Sequence, residues 1–173
     1  MIVFIAGTRP ELIKIGPVFA ALQAINGTDV RFICTGQHRE LLQGTPIETD
    51  LRYGESLALA SDGNVSRWIS KATDAVAKRL DALKPELVVV QGDTMSALAG
   101  AIAATEVQVP LAHIEAGVRS GDPTEPWPEE NNRIEIARLA DWHYAPTTTA
   151  FANLVAEGVP QARIRMTGNS VVS

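Results

Sequence analysis

Short apolar segments alternate with longer amphipathic or alanine-rich segments along the chain. The short segments are rich in β-branched residues and predict strands at residues 2–6, 30–35, 87–91, 111–115, 142–145 and 163–167. The longer segments predict helices near residues 11–24, 64–83, 94–106, 130–140 and 147–156. Because the strands are almost continuously apolar, we expect a parallel sheet covered by helices on both faces. The pattern predicts one doubly wound, Rossmann-like α/β domain over residues 1–173.

The clearest helical pattern lies at residues 64–83, where apolar residues recur at three- and four-residue spacing. Asn64 is a preferred N-cap residue, and Pro85 disfavours continuation of the helix. Trp68 falls on the apolar stripe, so we expect it in the core. Two stretches rich in glycine or proline lack this periodicity: 43–63, interpreted as a long crossover, and 117–129, a loop long enough to be functional.

Composition narrows the class of protein. The chain has 173 residues, a usual length for one domain, and a formal net charge of −5. The acidic balance argues against nucleic acid or an anionic membrane as a partner. No apolar run approaches the roughly 18 residues of a membrane span, and the first residues lack the basic segment of a signal peptide. With a single cysteine, Cys34, expected to be packed in a strand, these features favour a cytoplasmic protein.

Polar residues follow each of the first four predicted strands. In an open parallel sheet, ligands bind outside the carboxyl ends of the strands, so these positions are the candidates for a site. Helix caps alone explain glycines and small polar residues there, but not arginine, histidine and carboxylates at all four ends. The candidates are Arg9 and Lys14 after the first strand, Gln37 and His38 after the second, Asp93 after the third, and His113, Glu115 and Arg119 around the fourth.

The turn after the first strand excludes two common nucleotide sites. It contains neither G-x-G-x-x-G nor G-x-x-x-x-G-K-[ST], which disfavours a conventional dinucleotide site and a P-loop. Arg9 and Lys14 beside a helix N-terminus would still suit a phosphate group. The alternative is that Arg9 pairs with a nearby carboxylate and Lys14 lies in solvent. We expect no metal, because the three histidines have no partners at ligand spacing.

Three carboxylate positions have both a chemical and a structural interpretation. Asp93 either caps the following helix or faces a ligand. Glu115 ends an apolar strand, where burial should raise its pKa towards an acid/base role, although Arg119 could form an ion pair with it. Glu129 and Glu130 lie in a first helical turn, which the macrodipole favours, but the prolines before them could hold one carboxylate in a fixed direction.

Taken together, these motifs resemble the UDP-N-acetylglucosamine 2-epimerase family, of the non-hydrolysing bacterial type. Six stretches match in the order of the family, at residues 7–14, 35–38, 91–94, 113–120, 126–133 and 167–169. The resemblance implies one lobe of a two-lobed, glycosyltransferase-B-like fold. It also implies interconversion of UDP-N-acetylglucosamine and UDP-N-acetylmannosamine by elimination and re-addition of UDP, with no cofactor, in a homodimer.

The resemblance also assigns roles to residues. Asp93, Glu115 and Glu129 match the acid/base carboxylates, although the sequence does not decide which of them removes the C2 proton. Residues matching the substrate contacts are Arg9, Lys14, Gln37, His38, His113, Arg119 and Arg133. Arg9, Lys14, Arg119 and Arg133 could form a positive cleft for the diphosphate.

This sequence departs from the family in two places. The family continues beyond the residue matching Ser173 into a second, UDP-binding lobe, so we expect this chain to be the N-terminal lobe and to be inactive, or nearly so, alone. The segment after His38 is shorter than usual, which puts in question the second, activating substrate site of bacterial members. Alternatives are a hydrolysing relative, a relative acting on another UDP-sugar, or a non-catalytic nucleotide-sugar-binding module of a two-part complex.

Overall fold

The computed structural model describes residues 1–36, 54–60, 63–122 and 124–169. In this part of the chain a single parallel sheet has the strand order β3-β2-β1-β4-β5-β6-β7. The strands are β1 (Ile2–Ala6), β2 (Val30–Cys34), β3 (Gly54–Ser56), β4 (Leu87–Gln91), β5 (Leu111–Ile114), β6 (Trp142–Ala145) and β7 (Ile164–Met166). The order confirms the predicted doubly wound sheet, with its topological switch point between β1 and β4.

Helices cover both faces of the sheet, as predicted. They are α1 (Arg9–Gln23), α2 (Val65–Leu83), α3 (Met95–Glu106), α4 (Glu129–Leu139) and α5 (Thr148–Ala156). Residues of α2, α3 and α4 form one core cluster with Val3, Ile5 and Val90, whereas α1 packs on the opposite face with Phe4 and Val89. None of these helices combines the length and the apolar character needed to cross a bilayer.

Strand β3 lies within the stretch that the sequence indicated as an irregular crossover. Gly54, Glu55 and Ser56 have low strand propensity, so their sequence does not predict a strand. They become one by pairing in parallel with β2, with Phe32 opposite Gly54 and Cys34 opposite Ser56. Much of the remaining stretch, residues 43–53 and 61–62, lies outside the described residues.

The predictions for α2 are confirmed. The Asn64 side chain accepts a hydrogen bond from the Arg67 amide at 2.9 Å, which caps the helix. Trp68 is buried and packs with Ala72 and Ala99. Cys34 is also buried, and burial raises the pKa of its thiol, so it is a packed rather than a reactive cysteine.

Two histidines lie side by side inside the sheet. His113 on β5 and His143 on β6 are register partners, and both are fully buried. The Nε2 atom of His113 lies 2.8 Å from the carbonyl oxygen of Gly92, while Nδ1 of each ring has no hydrogen-bond partner among the described residues. Burial lowers the pKa of both rings, and for His113 the pKa falls to about 4.

Gly117 is required where the chain turns after β5. Its φ is +82°, and a Cβ atom built there would lie 2.2 Å from the carbonyl oxygen of Ala150 on α5. We expect Gly117→Ala to lower the free energy of unfolding by about 2–4 kcal/mol, from backbone strain and overpacking together. Gly121→Ala is the matched control, because Gly121 has a φ of +88° but open space around it. Urea denaturation should show that this control loses only about 1 kcal/mol in the free energy of unfolding. Equal losses in the two variants would contradict the role of the Ala150 contact.

The buried His113 makes the fold sensitive to acid. Its pKa of about 4 in the fold lies below the ordinary 6.5, so the unfolded chain takes up a proton between these pH values that the folded chain does not. This contribution to stability is therefore fully present above pH 6.5 and is lost as the pH falls towards 4, by on the order of 3 kcal/mol. An imidazole ¹⁵N NMR titration should find His113 neutral at pH 5 in the folded chain and protonated in urea. A pKa near 6.5 in the folded chain would contradict this expectation.

Candidate functional site

A cavity of about 300 Å³ opens at the carboxyl ends of β1, β4 and β5, at the switch point of the sheet. The charged side chains that line it come from four separated parts of the chain: Glu11 and Lys14 on α1, Asp93 after β4, Glu115 after β5, and Arg133 on α4. A small adjoining recess is lined by Pro146, Gly168 and Asn169 together with Lys14 and Glu115. The sheet therefore brings four of the predicted site residues, Lys14, Asp93, Glu115 and Arg133, into one place.

Glu115 follows β5 directly and is held by two partners. Its Oε2 atom lies 2.6 Å from Lys14 Nζ and also accepts a hydrogen bond from Gln91 Nε2. The residue has a φ of +65°, a left-handed conformation that costs a non-glycine residue about 1–3 kcal/mol and is concentrated at functional sites. The alternatives in which Lys14 lies in solvent or Arg119 pairs with Glu115 are wrong.

Asp93 follows β4 and does not cap the next helix. Thr94 is the N-cap of α3, and its Oγ1 atom accepts a hydrogen bond from the Ala97 amide at 3.0 Å. The Asp93 carboxylate instead pairs with Arg133, and Asn132 Nδ2 donates to the Asp93 carbonyl oxygen at 2.8 Å. Two neighbouring residues of α4 thus hold both the side chain and the backbone of Asp93, whose side chain remains 26% exposed and lines the cavity.

Arg133 joins Asp93 to a second carboxylate, that of Glu130. The Arg133 Nη1 atom lies 2.7 Å from Glu130 Oε2. Burial opposes the charge on Arg133, but the hydrogen bond to Glu130 and the charge of Asp93 outweigh it and raise the pKa of Arg133. Glu130 also accepts a hydrogen bond from the Ser120 amide, which ties the 117–129 loop to α4. Glu129, the first residue of α4, is half-buried and does not line the cavity in the described part of the chain.

The carboxyl group of Glu11 is buried in this site, although the sequence did not indicate Glu11 as a site residue. Its side chain is only 1% exposed and accepts hydrogen bonds from the Gly7 and Thr8 amides and from Thr94 Oγ1. Burial raises its pKa, although these hydrogen bonds lower it in part. The available signal was its position three residues after Thr8, the spacing of a capping box.

The other predicted contacts lie elsewhere. Arg9 is exposed at the start of α1, and the alternative ion pair at Arg9 is not formed with any carboxylate of the described residues. Arg119 binds Glu157 with two nitrogens at 2.7 and 2.6 Å. His113 lies beneath the cavity, in contact with Gly92. Gln37 and His38 lie outside the described residues.

The described residues do not form the positively charged cleft expected from the sequence. Lys14, Arg119 and Arg133 are each paired with a carboxylate, and Arg119 does not line the cavity. Three carboxyl groups and two cations surround the cavity instead. Within the described residues, no group of three or more histidine, cysteine, aspartate or glutamate side chains is placed to hold a metal ion.

Comparison with known proteins agrees with this fold. A family model described as UDP-N-acetylglucosamine 2-epimerase matches residues 20–173. The probable UDP-N-acetylglucosamine 2-epimerase of Ralstonia nicotianae is 40% identical over 172 residues, which are 99% of this chain and 46% of that relative. The crystal structure of UDP-GlcNAc 2-epimerase from Neisseria meningitidis bound to UDP-GlcNAc superimposes with a TM-score of 0.88 and 35% identity, over 99% of this chain and 46% of that one.

The fold extends beyond these relatives. A lipopolysaccharide outer core galactosyltransferase shares it with a TM-score of 0.70 at 12% identity, over 97% of this chain and 45% of that one, which agrees with the expected glycosyltransferase-like lobe. The chain spans about half the length of the relatives it matches. Because the family model matches most of the chain, the chain belongs to the UDP-N-acetylglucosamine 2-epimerase family.

Proposed function

We propose that this chain is the N-terminal lobe of an enzyme that interconverts UDP-N-acetylglucosamine and UDP-N-acetylmannosamine. The observation that carries the proposal is the convergence of Asp93 and Glu115, each held by its own cation, on one cavity at the switch point of the sheet. Acid/base chemistry needs carboxylates held in fixed directions within reach of a substrate, and both groups meet this requirement. A relative with the same fold binds UDP-GlcNAc.

The proposed reaction is an elimination followed by a re-addition. A base removes the C2 proton of the sugar, the bond from C1 to the UDP oxygen breaks, and UDP leaves to give a glycal. A proton then returns to the opposite face of C2, and UDP adds back at C1. The family resemblance gives these steps to Asp93, Glu115 and Glu129, and of these the first two line the cavity.

Neighbouring residues would support this chemistry by holding the carboxylates. Lys14 and Gln91 fix the direction of the Glu115 carboxylate, and both hydrogen bonds reach the same oxygen, Oε2. The other oxygen of Glu115 is then the one that can exchange a proton with substrate. His113 contacts the Gly92 carbonyl oxygen from below and so supports the turn that carries Asp93. We infer a positioning role for His113 rather than contact with substrate, because it is fully buried.

The proposal includes parts that this chain does not contain. A second lobe would form the opposite wall of the cleft and bind most of the UDP, since the chain spans about half the length of its relatives. Assembly into a homodimer and a cytoplasmic location belong to the same proposal, on the strength of the family resemblance and of the sequence features.

The isolated chain should bind nucleotide sugar weakly and catalyse little. In deuterated water, we expect it to incorporate no deuterium at C2 of UDP-N-acetylglucosamine above the rate in buffer, as followed by NMR. The UDP-GlcNAc 2-epimerase from Neisseria meningitidis, assayed in parallel, is the positive control. Exchange at the rate of that relative would overturn the expectation that the lobe needs a partner.

In the complete enzyme, the carboxylates themselves should be essential. Glu115→Gln and Asp93→Asn keep the size of the side chain but remove its basicity, so each should lower kcat by about 10²–10⁴-fold while the circular dichroism spectrum stays unchanged. Asp74→Asn, on the exposed face of α2, is the matched control and should leave kcat unchanged. Wild-type turnover in either variant would remove that residue from the mechanism. Stoichiometric release of free UDP by the wild type would indicate the hydrolysing alternative.

A further inference from the structure

The side chain of Glu11, in the first turn of α1, forms hydrogen bonds at the N-terminal ends of both α1 and α3. Its Oε2 atom accepts hydrogen bonds from the backbone amides of Gly7 at 3.0 Å and Thr8 at 2.8 Å, just before α1. Its Oε1 atom accepts a hydrogen bond from Thr94 Oγ1 at 2.7 Å, and Thr94 is the N-cap of α3. Both oxygens of this buried carboxyl group therefore have partners, and these partners come from the turns after β1 and β4.

These donors are the groups with which a doubly wound fold commonly binds phosphate. Amides at a helix N-terminus, together with the positive end of the helix dipole, attract an anion. In this chain an internal carboxyl group already occupies that position. Because the Gly7 and Thr8 amides both donate to Glu11, neither is free to bind a phosphate oxygen.

We propose that Glu11 acts as a built-in anion that closes the turn after β1 to substrate phosphate and, through Thr94, fixes the turn that carries Asp93. Glu11 is thus a positioning residue: it bonds Thr94, the residue next to Asp93, and does not itself contact the reacting atoms. Recognition of the diphosphate then depends on side chains and not on this backbone turn. The statement about substrate phosphate rests on the proposed function, whereas the internal anion site does not.

Substitution by alanine and rescue with acetate tests the proposal directly. Glu11→Ala removes Cγ and the carboxyl group, and acetate contains the same heavy atoms. Glu11 lines the open cavity, so acetate has a route to the vacated position. We expect Glu11→Ala to lose thermal stability and to regain it saturably with acetate, by about 3–6 °C at ten times the Kd, while the Gly7 and Thr8 amide signals shift with the same Kd.

Matched variants separate an anion site from packing and from general salt effects. Glu135→Ala removes an exposed carboxylate on α4 and should show no saturable response to acetate, and sodium chloride should rescue neither variant. Rescue by chloride equal to that by acetate would overturn the proposal.

Two further outcomes decide the remaining cases. If Glu11→Ala is unfolded in chloride, recovery of the native amide spectrum in acetate supports the internal anion site, and failure to recover overturns it. In the wild-type chain, inorganic phosphate should not shift the Gly7 and Thr8 amide signals, and a saturable shift of both would overturn the closure of the turn. None of these measurements depends on turnover, so a failure of the epimerase proposal would not be mistaken for a failure of this one.

Discussion

The central strands of the sheet are buried on both faces by helices, and this burial determines where polar residues can reach a ligand. Residues Val3 to Ala6 of β1 are completely buried, as are Val88 and Val90 of β4, because helices pack on both faces. A polar side chain buried within such strands costs free energy unless it finds a hydrogen-bond partner inside the protein. Polar groups that must reach a ligand are therefore confined to the carboxyl ends of the strands, where the cavity lies.

At the carboxyl ends of the strands, ion pairs fix the orientation of each carboxylate. Arg133 and Lys14 are held on α4 and α1, so the carboxylates of Asp93 and Glu115 are directed by two different helices rather than by their own loops. Hydrogen bonds from Asn132 and Ser120 extend the same network into the turn after β4 and into the 117–129 loop. A shift of α4 would therefore change the position of Asp93, the loop and Glu130 together.

Periodicity predicted the strands and helices well because each forms an apolar face that only one arrangement buries. It missed β3, where Gly54–Ser56 is a strand only through pairing with β2. The site was predicted less completely, because sequence gives position along the chain but not partners. Arg119 pairs with Glu157, 38 residues away, and Lys14 with Glu115, 101 residues away. Similarly, glutamate is rarely fully buried, and the capping-box spacing after Thr8 indicates a hydrogen bond to the backbone but not the burial of the Glu11 side chain.

The charge around the cavity limits what this lobe can contribute to binding a nucleotide diphosphate. Its two cations, Lys14 and Arg133, are already within bonding distance of Glu115 and Asp93. The amides before α1 are bonded to Glu11 as well. Of the cations predicted to contact substrate, Arg9 alone is described without a carboxylate partner, and it lies at the mouth of the turn. Under the proposed function, the described residues of this lobe are better suited to hold carboxylates near the sugar than to neutralise a diphosphate, because the two cations that line the cavity are already paired with carboxylates.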